Sequence, residues 1–156
     1  MLKTAPDASV TAAANADADA APHLIKGNVS EEEKRAALKI LSHFVSTRER
    51  SYGADVGQQL RLVEINVWER DGHAATGQTI FEVDVTKEMC NVFGTLHGAC
   101  AAYMVDPCSV SSLVVLGNAT GIDGTGVSQS MNLIWHQPAR VYVAPPPSPP
   151  NLTLFF

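Results

Sequence analysis

Residues 91–106 read Asn-Val-Phe-Gly-Thr-Leu-His-Gly-Ala-Cys-Ala-Ala-Tyr-Met-Val-Asp, and this stretch decides the fold. A polar cluster (Asn91, His97, Gly98) opens a long apolar run, and one carboxylate, Asp106, lies inside it. Between Glu88 and Asp123, Asp106 is the only acidic residue and no lysine or arginine occurs. Moving even a neutral polar group out of water without a partner costs roughly 2–7 kcal/mol, and an isolated carboxylate costs more. A charge kept at this position therefore has a partner or a task. The run predicts a helix over about residues 96–116, apolar on every side. Such a helix must be enclosed by other elements. Its length invites a transmembrane reading. However, Asp106, Pro107, Ser109, Ser111 and Ser112 fall at its centre and it has no basic flanks, so a helix within a folded core is expected instead, without membrane insertion.

Working outward, Ser30 followed by Glu31, Glu32 and Glu33 is a capping box, with acids suited to a helix N-terminus. Ala37, Leu38, Leu41, Phe44 and Val45 follow at helical spacing, which predicts an amphipathic helix over 31–46. Residues 52–58 read as a loop. Residues 60–68 alternate and are β-rich. After the turn signals Asp71-Gly72 and Gly77, residues 80–85 place Phe81, Val83 and Val85 on one face and Glu82 and Asp84 on the other. An antiparallel hairpin is expected. Past the helix, residues 118–126 carry three glycines and read as a turn. Residues 127–135 then alternate as a third strand, ended by Gln137-Pro138. Residues 1–28 begin with an alanine-rich stretch lacking large apolar side chains and are expected to be disordered. Residues 141–156 hold Pro145, Pro146, Pro147, Pro149 and Pro150 and are expected to form a polyproline-type tail that adds no strand. The domain proper is then 29–140. Three strands cover so apolar a helix only in part, and the sheet reads as incomplete.

At 156 residues, 46% hydrophobic and 17% charged, the chain fits one globular domain. A net charge of −5 and the lack of a basic stripe argue against nucleic acid. Cys90, Cys100 and Cys108 form no metal or disulfide pattern and suit a reducing compartment. The N-terminus matches neither a secretory signal nor an Arg-rich presequence, so a cytoplasmic location is expected. The remaining histidines, His23, His43, His73 and His136, lack metal-ligand spacing, so no metal is expected.

The segment Asn91-x-x-Gly94-Thr95-Leu96-His97-Gly98, then Asp106, then Gly126-Val127-Ser128-Gln129-Ser130-Met131-Asn132-Leu133, resembles the hotdog-fold acyl-CoA thioesterases of the phenylacetate-pathway and acyl-CoA thioesterase 13 type. The likeness covers roughly residues 60–140. It implies an α+β fold in which an antiparallel sheet wraps a long buried central helix. The family's later strands are expected to be missing here, a translated intron being one source of the tail. It implies hydrolysis of a fatty-acyl or arylacyl thioester of CoA, with no cofactor and no metal, in a homodimer or homotetramer. Position by position, Gly98 matches the residue whose backbone N–H polarises the thioester carbonyl, Asn91 a side chain that helps hold it, and His97 the histidine beside them. Asp106 matches the carboxylate that activates water from the partner subunit, and Ser128 the serine that positions this water. Two departures stand out: Ala99 where the family often has a second glycine, and Pro107 directly after Asp106 within the helix.

The physical chemistry agrees with those roles. Thioester hydrolysis needs a base for water and preorganised donors for the oxyanion, and a helix N-terminus supplies free N–H groups. Other readings stay open residue by residue. Asp106 reads also as a structural carboxylate bonded to Ser109 or the backbone, His97 as a helix cap, Asn91 as a turn former, Ser128 as an ordinary strand serine, and Gly98 as a packing glycine. The alternatives for the whole chain are a non-catalytic or inactive truncated hotdog protein and a hotdog dehydratase.

Overall fold

The computed structural model describes residues 22–45, 51–69, 72–140 and 151–156. After a 3-10 turn at Pro22–Leu24 come β1 (Lys26–Gly27), α1 (Glu31–Val45), the short α2 (Ala54–Gly57), β2 (Arg61–Trp68) and β3 (Thr76–Asp84). A second 3-10 turn (Lys87–Met89), the long α3 (Gly98–Thr120) and β4 (Asn151–Phe155) complete the order. The strands form one mixed sheet in the order β1-β2-β3-β4, parallel between β1 and β2 and antiparallel elsewhere. The fold class is α+β, with α3 laid across β3 and α1 packed on α3.

Local chemistry explains the elements. The Ser30 hydroxyl and backbone N–H each donate to the Glu33 carboxylate at 2.7 Å, and the Glu33 N–H donates to the Ser30 hydroxyl at 3.3 Å. This is the reciprocal cap expected from the sequence. In β3 the expected alternation holds: Phe81 and Val83 are fully buried and Val85 nearly so. Between sheet and helix, Thr79 is buried and its hydroxyl shares a 2.8 Å hydrogen bond with that of Ser111. Gly27 has φ +116°, and a Cβ there would lie 1.7 Å from the Ile65 carbonyl oxygen, so β1 meets β2 only as glycine. Pro107 does not end α3. Having no N–H, it leaves the Tyr103 carbonyl without its helical donor. Beyond it, the hydroxyls of Ser109, Ser111 and Ser112 donate to the carbonyls of Asp106, Cys108 and Ser109.

Several expectations change. Residues 22–28, assigned to a disordered lead, contribute the 3-10 turn and β1, and Ile25 lies in the core. The rest of the expected disordered stretch lies outside the described residues. Within the expected loop 52–58, Ala54–Gly57 is helical. The third strand at 127–135 does not form: no ladder involves it among the described residues, although its alternation suits one. The free edge of β3 is taken by β4, from the very tail expected to make no strand. Asn151 pairs with Asp84, Thr153 with Glu82 and Phe155 with Ile80, while Leu152, Leu154 and Phe156 pack on the core. Proline blocks ladder bonds only at its own positions, and residues 151–156 contain none. The preceding prolines, 145–150, lie outside the described residues. Finally, α3 is enclosed only in part. Ala101, Met104, Cys108, Val114 and Val115 are buried, whereas Leu113 is 55% exposed. By length and composition alone α3 is apolar enough to cross a membrane.

Candidate active site

Two groups of side chains stand out, one at the start of α3 and one at its middle. At the start, residues 87–97 form a tight strip. The Cys90 and Leu96 backbones bridge, the His97 N–H donates to the Met89 carbonyl at 2.9 Å, and the Leu96 N–H donates to the Ala139 carbonyl at 2.7 Å. Asn91 staples the connecting turn: its Oδ1 accepts from the Phe93 N–H (2.9 Å), the Thr95 N–H (3.3 Å) and the Thr95 hydroxyl (3.0 Å). Gly94, at φ +70°, makes the turn possible. His97 is the N-cap of α3, and its Nδ1 accepts from the Ala99 N–H at 3.1 Å. Gly98 follows, exposed. Apart from its chain neighbours and the helix's own backbone, the one heavy atom of the described residues within 4 Å of where its Cβ would stand is Trp135 Nε1, at 3.9 Å.

At the middle of α3, the Ser128 hydroxyl donates to Asp106 Oδ1 at 2.5 Å. Asp106 is half-buried rather than sealed in the core, and its expected partner Ser109 turns to the Asp106 backbone carbonyl instead. The bond depends on how the chain returns after α3. Gly121, at φ +73°, ends the helix in the left-handed conformation. The chain then doubles back along α3 with backbone against backbone. A Cβ on Gly117 would lie 2.4 Å from the Ile122 carbonyl oxygen, and one on Gly124 would lie 2.0 Å from that of Leu113. This close approach brings Ser128 beside Asp106 and Trp135 beside Gly98.

Asp106 and Ser128 lie on the wall of a cavity of about 730 Å³ between α1, α3 and residues 125–131. Among the described residues its lining is otherwise apolar apart from a few hydroxyls, and Asp106 is the one charged side chain. Cys108, two residues along α3 from Asp106, is buried, and desolvation pushes its thiol up to about 12. It is therefore an inert core residue. Among the described residues no cluster of three or more His, Cys, Asp or Glu side chains is placed to hold a metal.

Of the five residues singled out from the sequence, Asp106 and Ser128 meet, and Asn91, His97 and Gly98 gather at the start of α3. The two groups remain apart within one chain. Eight residues of helix separate Gly98 from Asp106, about 12 Å at 1.5 Å per residue. Sequence reasoning passed over Tyr103 and Trp135, whose spacing from Asp106 and Ser128 gave no chemical signal.

No protein-family model matches the chain, and no solved structure does so significantly. The curated proteins it resembles include acyl-coenzyme A thioesterase 13 of Pongo abelii and of Homo sapiens, each 38% identical over 68 residues. Those residues are 44% of this chain and 46% of each relative, so the match spans about half the length of these proteins. Over those residues the chain is similar to acyl-coenzyme A thioesterase 13, and its α+β fold with a long helix across the sheet is consistent with the hotdog fold.

Proposed function

We propose that this protein hydrolyses acyl-CoA thioesters, a fatty-acyl or arylacyl group being released as the free acid and CoA as the thiol. The observation that carries the reading is the Ser128–Asp106 hydrogen bond on the wall of an apolar cavity. One oxygen of Asp106 is held by Ser128 and the other is left to take a proton from water. The hydroxide equivalent adds to the thioester carbonyl, the oxyanion forms, and its collapse expels the CoA thiolate, which recovers the proton. The Gly98 N–H, at a helix start with its partial positive charge, is the donor for the oxyanion. Asn91 serves through its amide NH2, since the three bonds it accepts locally all go to Oδ1. His97 shapes the helix start by capping it.

Because Asp106 lies about 12 Å from its own Gly98, each site takes Gly98 from one chain and Asp106 from another. A two-fold dimer does this twice, and a tetramer pairs two such dimers. The exposed apolar side chains of the segment that follows α3, among them Val127, Ile134 and Trp135, are the surface that such a partner covers. The cytoplasm is the proposed location, in keeping with three free cysteines.

The test is an acyl-CoA hydrolysis assay on Asp106→Asn. Loss of the general base lowers kcat by about 10²–10⁴-fold. Turnover equal to the unmodified protein would remove Asp106 from the chemistry.

A further inference from the structure

We propose that Tyr103 sets the size of the acyl group admitted to the cavity between α1 and α3. This proposal rests on the thioesterase reading above and names the residue that selects its substrate.

The cavity first defines a class. About 730 Å³ lies within the usual range for small-molecule sites. Among the described residues its one charged side chain is Asp106, and no lysine, arginine or histidine lines it. An acyl group carrying a second carboxylate would meet the Asp106 anion there. An uncharged apolar acyl group meets aliphatic side chains from α1 (Ile40, Leu41, Val45) and from α3 (Val110, Val114).

Tyr103 then limits that class by size. On the N-terminal side of Asp106, α3 lines the cavity with Ala99, Ala102 and Tyr103. Two of these are methyl-sized and the third carries a ring, so the wall is open except where Tyr103 fills it. The ring is held in place from behind. A Cβ at Gly53 would come within 2.6 Å of it, and one at Gly57 would stand 2.8 Å from its hydroxyl oxygen. Gly53 also has φ +68°, so glycine is favoured there twice over. Tyr52 meets the ring edge-on, centroids 5.9 Å apart. A ring gripped by two glycines on α2 and its flank cannot swing aside to admit a longer chain. A phenol is neutral near neutral pH, and burial raises that of Tyr103 further, so Tyr103 presents an uncharged face to an apolar group. Truncating it would join a ring-sized space to the cavity.

The experiment compares the unmodified protein with Tyr103→Ala and Tyr103→Phe on straight-chain substrates from butanoyl-CoA to octadecanoyl-CoA. The expected result is that Tyr103→Ala shifts the kcat/KM ratio of long to short substrates by about tenfold or more toward the long. Tyr103→Phe, which keeps the ring, keeps the original profile. Should Tyr103→Ala fail to fold, Tyr103→Leu carries the same comparison. A Tyr103→Ala or Tyr103→Leu profile that superimposes on the original overturns the proposal. The same proteins are titrated by calorimetry with primary alcohols from hexanol to hexadecanol, whose neutral head can bond to Asp106 and Ser128. If the unmodified protein hydrolyses no thioester yet binds these alcohols, with a length limit that moves in Tyr103→Ala, the hydrolase reading falls and the role of Tyr103 stands. Absence of alcohol binding, or a limit unmoved by the substitution, overturns the role of Tyr103.

Discussion

Asp106 and Ser128 are 22 positions apart and meet at hydrogen-bond distance, whereas Asn91 and His97 direct polar atoms to neighbours within four residues. The difference is physical. Short polar side chains next to a turn or helix start find the free N–H groups of their own backbone first. Asp106, in mid-helix, has no such neighbour and waits for another segment. The same local rule makes Ser30 and Glu33 testable. The Ser30 hydroxyl, then its N–H, hold the Glu33 carboxyl below the ordinary carboxylate value. A depressed value in the folded state means that this stabilisation is present above the unfolded pKa. It is lost as pH falls through the folded one. Ser30→Ala should therefore cost about 0.5–2 kcal/mol near neutral pH. The gap should narrow, though not vanish, as pH is taken below about 4. Urea unfolding of both proteins at the two conditions checks this, and a gap that stays constant would show that the carboxylate contributes nothing.

At the scale of elements, the return segment and the last strand decide what α3 can do. Gly124 has the Leu113 carbonyl where a side chain would begin. Gly124→Ala must push the segment off the helix, and overpacking of this kind costs about 1–3 kcal/mol. Ser128 would move with it, so a lower Tm should be accompanied by slower thioester turnover. A fall in Tm with turnover intact would mean that Ser128 keeps Asp106 by another route. The strand β4 is equally specific in its effect. Its Leu152, Leu154 and Phe156 cover core residues beside β3, and Phe156 exchanges both backbone hydrogen bonds with Thr79, at 3.0 and 3.1 Å. Deleting residues 151–156 would bare the β3 edge, an open template for pairing with other chains. The shortened protein should aggregate on gel filtration under conditions where the longer one does not. An unchanged elution profile would make β4 dispensable.

For the whole molecule, the proposed mechanism together with the separation of Gly98 from Asp106 along one helix would make activity a property of the assembly. Protein carrying Gly98→Val has a blocked helix start and an intact carboxylate, and Asp106→Asn protein has the reverse. After subunit exchange, a hybrid dimer contains one site with both groups native. Mixing should restore part of the activity, up to about half of that in the hybrid fraction because a two-fold dimer has two sites. Lack of recovery, with exchange verified by a mass-tagged partner, would place both groups in a single chain. The proposed association would also cover the exposed apolar side chains of Val127, Ile134 and Trp135.

From the residues alone one can read the capping box of α1, the alternation of β3, the antiparallel hairpin and the long α3 with its lone carboxylate. All of these are set by neighbours within a few positions: periodicity, caps and turn glycines act locally. The pairing of Asp106 with Ser128 was legible only as a family resemblance, because nothing in spacing says which segment will lie along a helix. Tertiary structure decided that, through the backbone contacts of Gly117 and Gly124. It also decided which of two alternating segments joins the sheet. Residues 127–135 and 151–155 both suit a strand, but one edge of β3 was open, and β4 took it. Alternation gives a segment the capacity to pair, whereas an available edge is a property of the folded whole.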